Sequence, residues 1–274
     1  MVRLLARLLH RIDRLFPRTR VEGRESPEAY SEWEYRLGKD LLERYTAQFG
    51  ALTGKRVLDI GCGLGGKTIA YGEAGAEVVG VDIEYGNIAQ SCRYASSRAS
   101  AVDFLVGDAE ELPFPDESFD LVVANDSMEH FPSPERALPE LARVCARGGL
   151  LFLFFTPWRS PLGSHLYDYI RTPWCHLLFS ERLIEELLSI ILERRGKGDA
   201  SGEARTLMER YHIELNRITV ARYRRILAHN PELRPVLEEL RPPKYPFLAP
   251  LTRLPGIGEF FTGTVVSILE KRTR

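Results

Sequence analysis

Between residues 56 and 157, short apolar runs alternate with segments of helical periodicity. Each apolar run has the length of one strand: RVLDI (56–60), EVVGVD (77–82), DFLVGD (103–108), FDLVVAND (119–126) and GGLLFLFFTP (148–157). The segments between them predict helices at 67–75, 87–98 and 133–145. Apolar strands separated by helices are typical of a parallel sheet that is covered on both faces. The pattern therefore predicts an α/β fold with a doubly wound, Rossmann-like sheet.

The flanking segments are mostly helical in pattern. Ser26 as N-cap, Pro27 at the first helical position and Gly50 as the stop predict a helix over 27–49. After Pro157 come aromatic and turn residues, then further helices, and finally two segments with strand character at 233–240 and 264–272. We predict four parts: an N-terminal helix (1–25), a core (26–157), a helical, aromatic insertion after the fifth strand that caps the substrate (158–215), and a C-terminal helix with the last two strands (216–274).

The N-terminal segment separates into two faces when it is placed on a helix at about 100° per residue. One face is apolar and the opposite face is basic: Leu4, Leu5, Leu8, Leu9, Ile12, Leu15 and Phe16 against Arg3, Arg7, Arg11, Arg14 and Arg18. Such a helix can lie on a membrane surface, attracted by anionic lipid, which would give peripheral membrane contact through residues 1–20. It can also pack its leucines on the catalytic domain or its cleft. We expect the packed arrangement, because basic-faced packing helices are common.

Composition limits the remaining classes of protein. The 274 residues are 44% hydrophobic and 27% charged, with a formal net charge of −1, so no overall basic field attracts nucleic acid. The four cysteines show no metal-ligand spacing, which predicts no metal site, no disulfides and a cytoplasmic location. The strongest apolar run, 149–155, is shorter than the roughly 20 residues of a spanning helix.

The stretch GCGLGGKT at 61–68 fits three kinds of ligand site. As a P-loop it would use Lys67 and Thr68 for phosphate and magnesium, with Asp126 as a second magnesium ligand. As G-x-G-x-x-G it would be a dinucleotide-binding turn. As the end of VLDIGCGLGG it would hold a ligand that carries no phosphate at that point.

Acidic and amide side chains stand where the predicted strands end, and ligands of open parallel sheets bind at that edge. Asp59 borders the glycines, where a carboxylate near phosphate would cost about 1–4 kcal/mol; it favours a cationic guest. Asp82 can accept both hydroxyls of a ribose, as acids in NAD sites also do. Asp108 can accept a hydrogen bond from an exocyclic amine, and Asn125 ends the fourth strand.

Four segments together resemble the class I S-adenosylmethionine-dependent methyltransferases, in the branch often called methyltransferase type 11. They are VLDIGCGLGG, VVGVDI, VGDAEELPFPDESFDLVVANDSMEHFPSPERAL and GGLLFLFFTP, within residues 50–157. The resemblance implies a seven-stranded sheet whose last strand is antiparallel, a methyltransferase activity, and S-adenosylmethionine as cofactor.

The resemblance also assigns residues to the cofactor. The methionine portion would be surrounded by Asp59, Gly61, Cys62, Gly63 and Gly65. Asp82 would hold the ribose, Ile83 would pack on the adenine, Asp108 would bind the adenine amine beside Ala109, and Asn125 would lie near the methionine end. Lys67 and Thr68 depart from the family's usual pattern and are expected to do no phosphate chemistry.

A sulfonium methyl group is already activated, so the protein mainly aligns the acceptor, and a hydroxyl acceptor needs a general base. His130, after the fourth strand, is the first candidate for this base, and His165 in the insertion is the second; each can equally be a hydrogen-bonded structural histidine. Around His165 the insertion gathers polar and aromatic residues that either contact substrate or form a packed cap: Asp168, Tyr169, His176, Trp158 and Trp174. Tyr30, Trp33 and Tyr35 upstream could line the same cleft.

The aromatic insertion and leucine-rich N-terminus suggest O-methylation of a small or amphipathic, lipid-like acceptor. Two alternatives stay open. The first is an RNA methyltransferase with a local basic patch at Arg222, Arg224 and Arg225. The second is a cofactor-binding regulatory or assembly protein without catalysis, although the intact glycines and acids argue against it.

Overall fold

The computed structural model describes residues 1–18, 22–243 and 246–273. The chain forms two compact units. The first comprises Met1–Val21, Thr156–Val220 and Leu240–Val265, and the second comprises Glu22–Phe155, Ala221–Glu239 and Val266–Arg274. The predicted segment 1–25 includes residues 19–21, which lie outside the described residues.

A seven-stranded sheet has the order β3-β2-β1-β4-β5-β7-β6. Its strands are β1 (Arg56–Ile60), β2 (Glu77–Asp82), β3 (Asp103–Val106), β4 (Phe119–Asn125), β5 (Cys145–Phe155), β6 (Leu233–Arg241) and β7 (Thr264–Lys271). The pairs β1–β2, β1–β4, β2–β3 and β4–β5 are parallel, whereas β7 runs antiparallel. The predicted fold class is confirmed, including the two C-terminal strands and the direction of the last one.

The helices of the second unit begin and end close to the predicted positions. They are α2 (Pro27–Arg44), α3 (Thr46–Phe49), α4 (Gly66–Glu73), α5 (Tyr85–Ser97), α6 (Pro134–Val144) and α10 (Val220–Ala228). The single helix predicted over 27–49 is wrong, since the chain leaves helical geometry at Tyr45 (φ −110°, ψ 18°). The ring of Tyr45 at this break and that of Phe49 at the end of α3 both pack against Phe152, with centroids 5.1 and 5.4 Å away.

Helix α2 lies unusually close to the start of α4. A Cβ on Gly66 would stand 2.0 Å from the Ser31 carbonyl oxygen, and one on Gly38 would stand 2.9 Å from the Ala70 Cβ. The Ser31 hydroxyl donates to the Leu64 carbonyl over 3.0 Å. The two glycines therefore allow α2 to rest on the glycine-containing loop that follows β1.

The first unit contains α1 (Val2–Asp13), α7 (Cys175–Leu178), α8 (Glu181–Arg194), α9 (Ala200–Ile213) and two 3₁₀ segments, Pro246–Arg253 and Gly258–Phe261. Its apolar core is formed mainly by α8 and α9, and Ala6 and Leu9 of α1 join it. Among the described residues, no helix has both the length and the apolar composition that a membrane span requires.

The expectation that the N-terminal leucines pack on the protein is wrong for most of them. Leu9 is buried, but five other apolar residues are exposed: Leu4, Leu5, Leu8, Ile12 and Leu15. The face that packs consists instead of Ala6, Leu9, His10 and Asp13. Asp13 explains this orientation, because its Oδ1 accepts hydrogen bonds from the Arg171 amide, the Thr172 amide and the Thr172 hydroxyl at 2.7–2.8 Å.

Candidate functional site

The candidate site lies at the carboxyl ends of three neighbouring strands in the second unit. Ile60 pairs with Val81 on one side and with Ala124 on the other, so β1, β2 and β4 end at the same edge. Asp82 and Asn125 are the last residues of their strands, and Asp59 is the next-to-last residue of β1. The sheet topology therefore brings these three predicted residues to one edge.

Asp59 is a buried carboxylate held by the first turn of α4. The Thr68 hydroxyl donates to Asp59 Oδ2 over 2.7 Å, and both side chains are inaccessible to solvent. Burial raises the pKa of Asp59 to about 6, against the opposing effects of the Thr68 hydrogen bond and of Lys67. A cation bound beside Asp59 would favour its ionised form and so offset the cost of desolvation.

Lys67 and Thr68 contact the acidic residues of the site, a role that the sequence did not predict. Thr68 orients Asp59, and the Lys67 ammonium lies 3.9 Å from Glu34 Oε1 and 3.7 Å from Asp126 Oδ2. Burial lowers the pKa of Lys67, but the surrounding carboxylates outweigh this effect and raise it, so the side chain stays charged. The P-loop interpretation would need both side chains to face phosphate and magnesium, whereas here they face carboxylates.

The sequence suggested that the motif glycines let a ligand approach the backbone. In the structure, two of them are also required by packing within the protein. Gly61 has φ +69°, and a Cβ there would stand 2.5 Å from the Ser127 Cβ. Gly65 has φ +81°, and a Cβ there would stand 2.8 Å from the Ser91 Cβ. Both residues combine a left-handed backbone with a filled space, so glycine is the residue that fits.

Asp82 ties the glycine loop to the end of β2. Its carboxylate accepts hydrogen bonds from the Gly63 amide (2.9 Å), the Glu84 amide (2.9 Å) and the Asn87 side chain (3.1 Å). A carboxylate can accept about four hydrogen bonds, so acceptor capacity remains for a ligand hydroxyl. The neighbouring Ile83 is 59% exposed, which leaves an apolar side chain uncovered beside this acid.

The remaining predicted cofactor residues differ in exposure. Asp108 is exposed and accepts from the Glu110 amide over 2.9 Å, while Ala109 is buried. Asn125 is buried and donates to Asp126 Oδ2 over 3.2 Å. The Cys62 thiol is buried, and burial raises its pKa well above the usual value, so this residue stays a neutral packing group.

Glu34 is a site residue that the sequence reasoning missed. It is buried on α2, and a Cβ placed on Gly63 would stand 3.2 Å from its Oε1, so the carboxyl group points to the glycine loop. Burial raises the pKa of Glu34 to about 7 despite the nearby Lys67. Its Oε2 has no hydrogen-bond partner among the described residues. The signal in the sequence was its position on the buried face of α2, with Ser31, Tyr35 and Gly38.

The aromatic residues of α2 have separate surroundings. Tyr30 stacks obliquely with Trp33 at 5.2 Å, and burial, reinforced by Glu34, raises the Tyr30 pKa. Tyr35 instead bonds the Glu73 carboxylate and lies under the Arg98 guanidinium. Tyr30 therefore stands beside the site, while Tyr35 belongs to the contact of α2 with its neighbours.

The two candidate bases lie in different units. His130 is exposed and its amide donates to the Ser127 carbonyl in the turn after β4. His165 is half-buried, has φ +55° and lies beside Tyr167, with ring centroids 5.9 Å apart.

The other polar residues of the predicted insertion cluster are engaged within the first unit. His176 Nε2 bonds the Trp158 carbonyl over 2.6 Å, its ring packs on Trp158, and burial lowers its pKa. Arg195 donates to the Asp168 carbonyl and stacks over the Tyr169 ring. These side chains therefore pack within the first unit.

Two of the three arginines in the alternative basic patch on α10 are paired with acids. Arg222 forms two hydrogen bonds of 2.8 Å with Glu135, and Arg224 pairs with Glu238. The pKa of Glu135 is lowered chiefly by the Arg222 hydrogen bonds, with a smaller contribution from Arg225. Paired arginines attract phosphate backbones weakly, which removes the main support for RNA as a substrate.

Comparisons with known proteins find similarity in the part of the chain that contains the candidate site. Residues 58–153 match the family described as "Methyltransferase domain". A demethylmenaquinone methyltransferase from Renibacterium salmoninarum is 35% identical over 123 residues, which are 44% of this chain and 50% of that relative. A sterol 24-C-methyltransferase from Gibberella zeae is 35% identical over 130 residues, 46% of this chain and 33% of that relative. The chain thus spans about half the length of the first curated relatives it matches, from 44% to 57%.

The solved structures extend the likeness beyond this core. The geranyl diphosphate C-methyltransferase from Streptomyces coelicolor A3(2), determined with Mg²⁺, geranyl diphosphate and S-adenosyl-L-homocysteine, has a TM-score of 0.56 and 18% identity. The match covers 88% of this chain and 83% of that structure. At this identity the likeness concerns the fold, and it agrees with the strand order described above.

Proposed function

We propose that this protein, whose residues 58–153 match the family described as "Methyltransferase domain", is a class I S-adenosylmethionine-dependent methyltransferase that transfers a methyl group to a small, lipid-like acceptor. The observation that carries the proposal is the set of buried carboxylates at the glycine loop, Asp59, Asp82 and Glu34. An unusual excess of buried negative charge suits a cofactor that brings a sulfonium and an ammonium.

The adenosine half of the cofactor fits the residues that end β2 and follow β3. Asp82 retains acceptor capacity for the ribose hydroxyls, and the exposed Ile83 offers an apolar surface for the adenine ring. Asp108, whose carboxylate is exposed, would accept from the adenine amine, with Ala109 beside it. We keep the sequence assignments of these four residues as part of the proposal.

The amino-acid end of the cofactor fits Glu34 and Lys67. Their charged atoms are 3.9 Å apart, beyond the length of an ordinary hydrogen bond, so each retains capacity for a partner. Glu34 Oε2, which has no hydrogen-bond partner among the described residues, would accept from the methionine ammonium. The Lys67 ammonium would donate to the methionine carboxylate, and Asn125 at the end of β4 would lie nearby.

The chemistry demands little beyond alignment. When bound, S-adenosylmethionine supplies a methyl group on a sulfonium; the acceptor forms a bond to this carbon as the carbon–sulfur bond breaks. The chain's own residues would hold the donor at its two ends, and such positioning contributes about 7–11 kcal/mol in favourable cases. If the acceptor is a hydroxyl, an imidazole nitrogen of His130 would take the released proton, and His165 is the second candidate.

The names of three similar proteins support a lipid-like acceptor. The relatives and the structural neighbour are named for demethylmenaquinone, a sterol and geranyl diphosphate, each of which has a large hydrocarbon part. O-methylation is the finer part of our proposal, and two of these proteins are named as C-methyltransferases. Since lipid-like acceptors partition into membranes, we include peripheral contact with a membrane surface in the proposal.

Calorimetry with four ligands tests the cofactor assignment: S-adenosylmethionine, S-adenosylhomocysteine, 5′-methylthioadenosine and ATP with magnesium. We expect the first three to bind and ATP not to bind. Glu34→Gln and Lys67→Met should each weaken S-adenosylmethionine by about 10- to 100-fold, the range for a charged hydrogen bond. Neither variant should alter 5′-methylthioadenosine, which lacks the amino-acid end. Glu43→Gln, an exposed change on the same helix, is the control.

The outcomes separate two failures. If the unmodified protein binds ATP and not S-adenosylmethionine, the methyltransferase proposal is lost. If the protein binds S-adenosylmethionine but each variant weakens the binding of 5′-methylthioadenosine as much as that of S-adenosylmethionine, the methyltransferase proposal stands. The assignment of Glu34 and Lys67 to the amino-acid end is then lost. Incubation with labelled donor and a lipid extract, followed by product mass and bond analysis, then decides between oxygen and carbon as the acceptor atom. Donor binding without any labelled product would favour the non-catalytic alternative.

A further inference from the structure

Helix α1 has three faces, and among the described residues one of them packs on protein. The packed face, Ala6, Leu9, His10 and Asp13, lies against the core of the first unit. An outer apolar face is exposed along the helix and the turn that follows it: Leu4, Leu5, Leu8, Ile12 and Leu15. Leu8 is 54% exposed and Leu15 is 82% exposed. Side chains of this size in one continuous row are more than scattered surface residues.

The orientation of the helix is fixed, so the outer apolar face cannot turn inward. At one end, the Arg3 guanidinium forms a 2.7 Å ion pair with Glu193. At the other end, Asp13 accepts three hydrogen bonds from Arg171 and Thr172, as described above. These contacts join α1 to α8 and to the segment before α7, and they hold the row of leucines toward solvent.

A basic flank runs beside the outer apolar face. At about 100° per residue, Arg7, Arg11 and Arg14 fall on the side of the helix next to Leu4. All three are exposed, and among the described residues none of them lies within ion-pair distance of a carboxylate. An exposed apolar row next to unpaired arginines is the arrangement of a helix that lies in the headgroup region of an anionic bilayer.

We propose that α1 docks the protein on anionic membrane surfaces, with its outer apolar face in the acyl boundary and its basic flank on the lipid phosphates. This inference does not depend on the methyltransferase activity. Charge decides the occupant: the arginines complement anionic headgroups, whereas a second copy of the same face would supply further arginines.

Flotation with vesicles tests the docking surface on the full chain. We expect the protein to float with phosphatidylcholine vesicles that contain phosphatidylglycerol, and to float less as salt increases. With pure phosphatidylcholine the floating fraction should be much smaller. Arg7→Gln with Arg11→Gln should weaken binding to the anionic vesicles by about fivefold per arginine.

Two apolar substitutions separate insertion from simple attraction. Leu8→Gln with Ile12→Gln keeps the charge and should reduce binding to anionic vesicles by roughly tenfold or more. Ile213→Gln is the matched control, since Ile213 is an equally apolar residue of the first unit that is 83% exposed at the end of α9. Thermal unfolding should be unchanged in all these variants, because every replaced side chain is exposed.

Three results would overturn the proposal. The first is an unmodified protein that stays with the buffer at low salt. The second is a Leu8 and Ile12 variant that floats as well as the Ile213 control. The third is light scattering that shows a dimer which the same double substitution dissociates, since the face would then be an interface between copies.

Discussion

The Thr68 hydroxyl donates a 2.7 Å hydrogen bond to the buried carboxylate of Asp59. This contact links the end of β1 to the first turn of α4, on either side of the glycine loop. It also gives a role to a residue whose position in the sequence imitates a magnesium ligand. The negative charge and the burial of Asp59 argue against a phosphate ligand, because a buried carboxylate repels phosphate oxygens.

Removal of the Thr68 hydroxyl should destabilise the protein. Thr68→Val leaves a buried carboxylate oxygen without its donor, which costs about 1–3 kcal/mol in the free energy of unfolding. Thr68→Ser keeps the hydroxyl and should retain most of the stability. Urea denaturation of the two variants measures the difference, and equal midpoints for valine and serine would show that the contact contributes nothing.

Stability and cofactor binding should depend on pH in opposite directions. Burial raises the pKa of Asp59 from 3.8 to about 6 and that of Glu34 from 4.5 to about 7. Between pH 4 and 7 the native state therefore holds protons that the unfolded state releases. The contribution of these two groups to the free energy of unfolding is greatest below about pH 4 and is lost as the pH rises through 6 and 7. A cationic cofactor prefers the ionised acids, so its affinity should increase over the same range with release of protons.

Calorimetry in buffers of different ionisation enthalpy counts these protons. Glu34→Gln should remove the part of the pH dependence near 7 and leave the part near 6, which belongs to Asp59. Denaturation of the cofactor-free protein at pH 5 and pH 8 measures the stability effect. Affinity that is constant from pH 5 to 8 would contradict the placement of a cation beside these acids.

Substitution of Asp82 should weaken every ligand that contains the nucleoside. Asp82→Asn replaces one acceptor oxygen by a donor amide, so the Gly63 amide or the ribose loses its partner. We expect a loss of about 1–3 kcal/mol for both S-adenosylmethionine and 5′-methylthioadenosine. Asp103→Asn, an exposed acid on β3, is the control. A loss confined to S-adenosylmethionine would place Asp82 at the wrong end of the cofactor.

The conformation at Gly61 should not tolerate a side chain. Gly61→Ala combines a left-handed φ of +69° with a Cβ only 2.5 Å from the Ser127 Cβ. We expect a loss of stability above about 1 kcal/mol. Gly86→Ala has open space around its Cβ and should be close to neutral. Thermal unfolding compares the two, and similar melting temperatures would show that the loop rearranges at little cost.

If His130 is the general base, its removal should reduce the rate of methyl transfer without changing the binding of the methyl donor. His130→Ala should lower kcat by about 10²–10⁴ once a hydroxyl acceptor is known, with unchanged affinity for S-adenosylmethionine. His229→Ala, a histidine of the second unit at the end of α10, is the control. A full rate with the His130 variant would transfer the role to His165 or exclude a base.

The meeting of Asp59 and Asp82 at one edge of the sheet could be predicted from the sequence. The prediction works because parallel strands bring their carboxyl ends to one edge, so residues far apart in sequence, such as Asp59 and Asp82, must meet. The place of Glu34 in the site could not be predicted in this way, because α2 precedes the sheet. Nothing in the spacing of α2 shows that Gly38 and Gly66 let the helix bring Glu34 onto the glycine loop. The cofactor class came from the resemblance of four segments to the class I methyltransferases, since glycines and acids of this kind also occur in dinucleotide sites.

Local pattern by itself determined the strands, most of the helices and the amphipathic character of the N-terminal segment, because side-chain periodicity and strand length depend on neighbours in the chain. Only the tertiary structure decided which face of α1 is buried. Periodicity identifies an apolar face but not its partner, and here the three hydrogen bonds to Asp13 and the ion pair of Arg3 turned the helix so that its larger leucine face meets solvent. The same reason explains Lys67 and Thr68, whose partners are set by contacts across the fold.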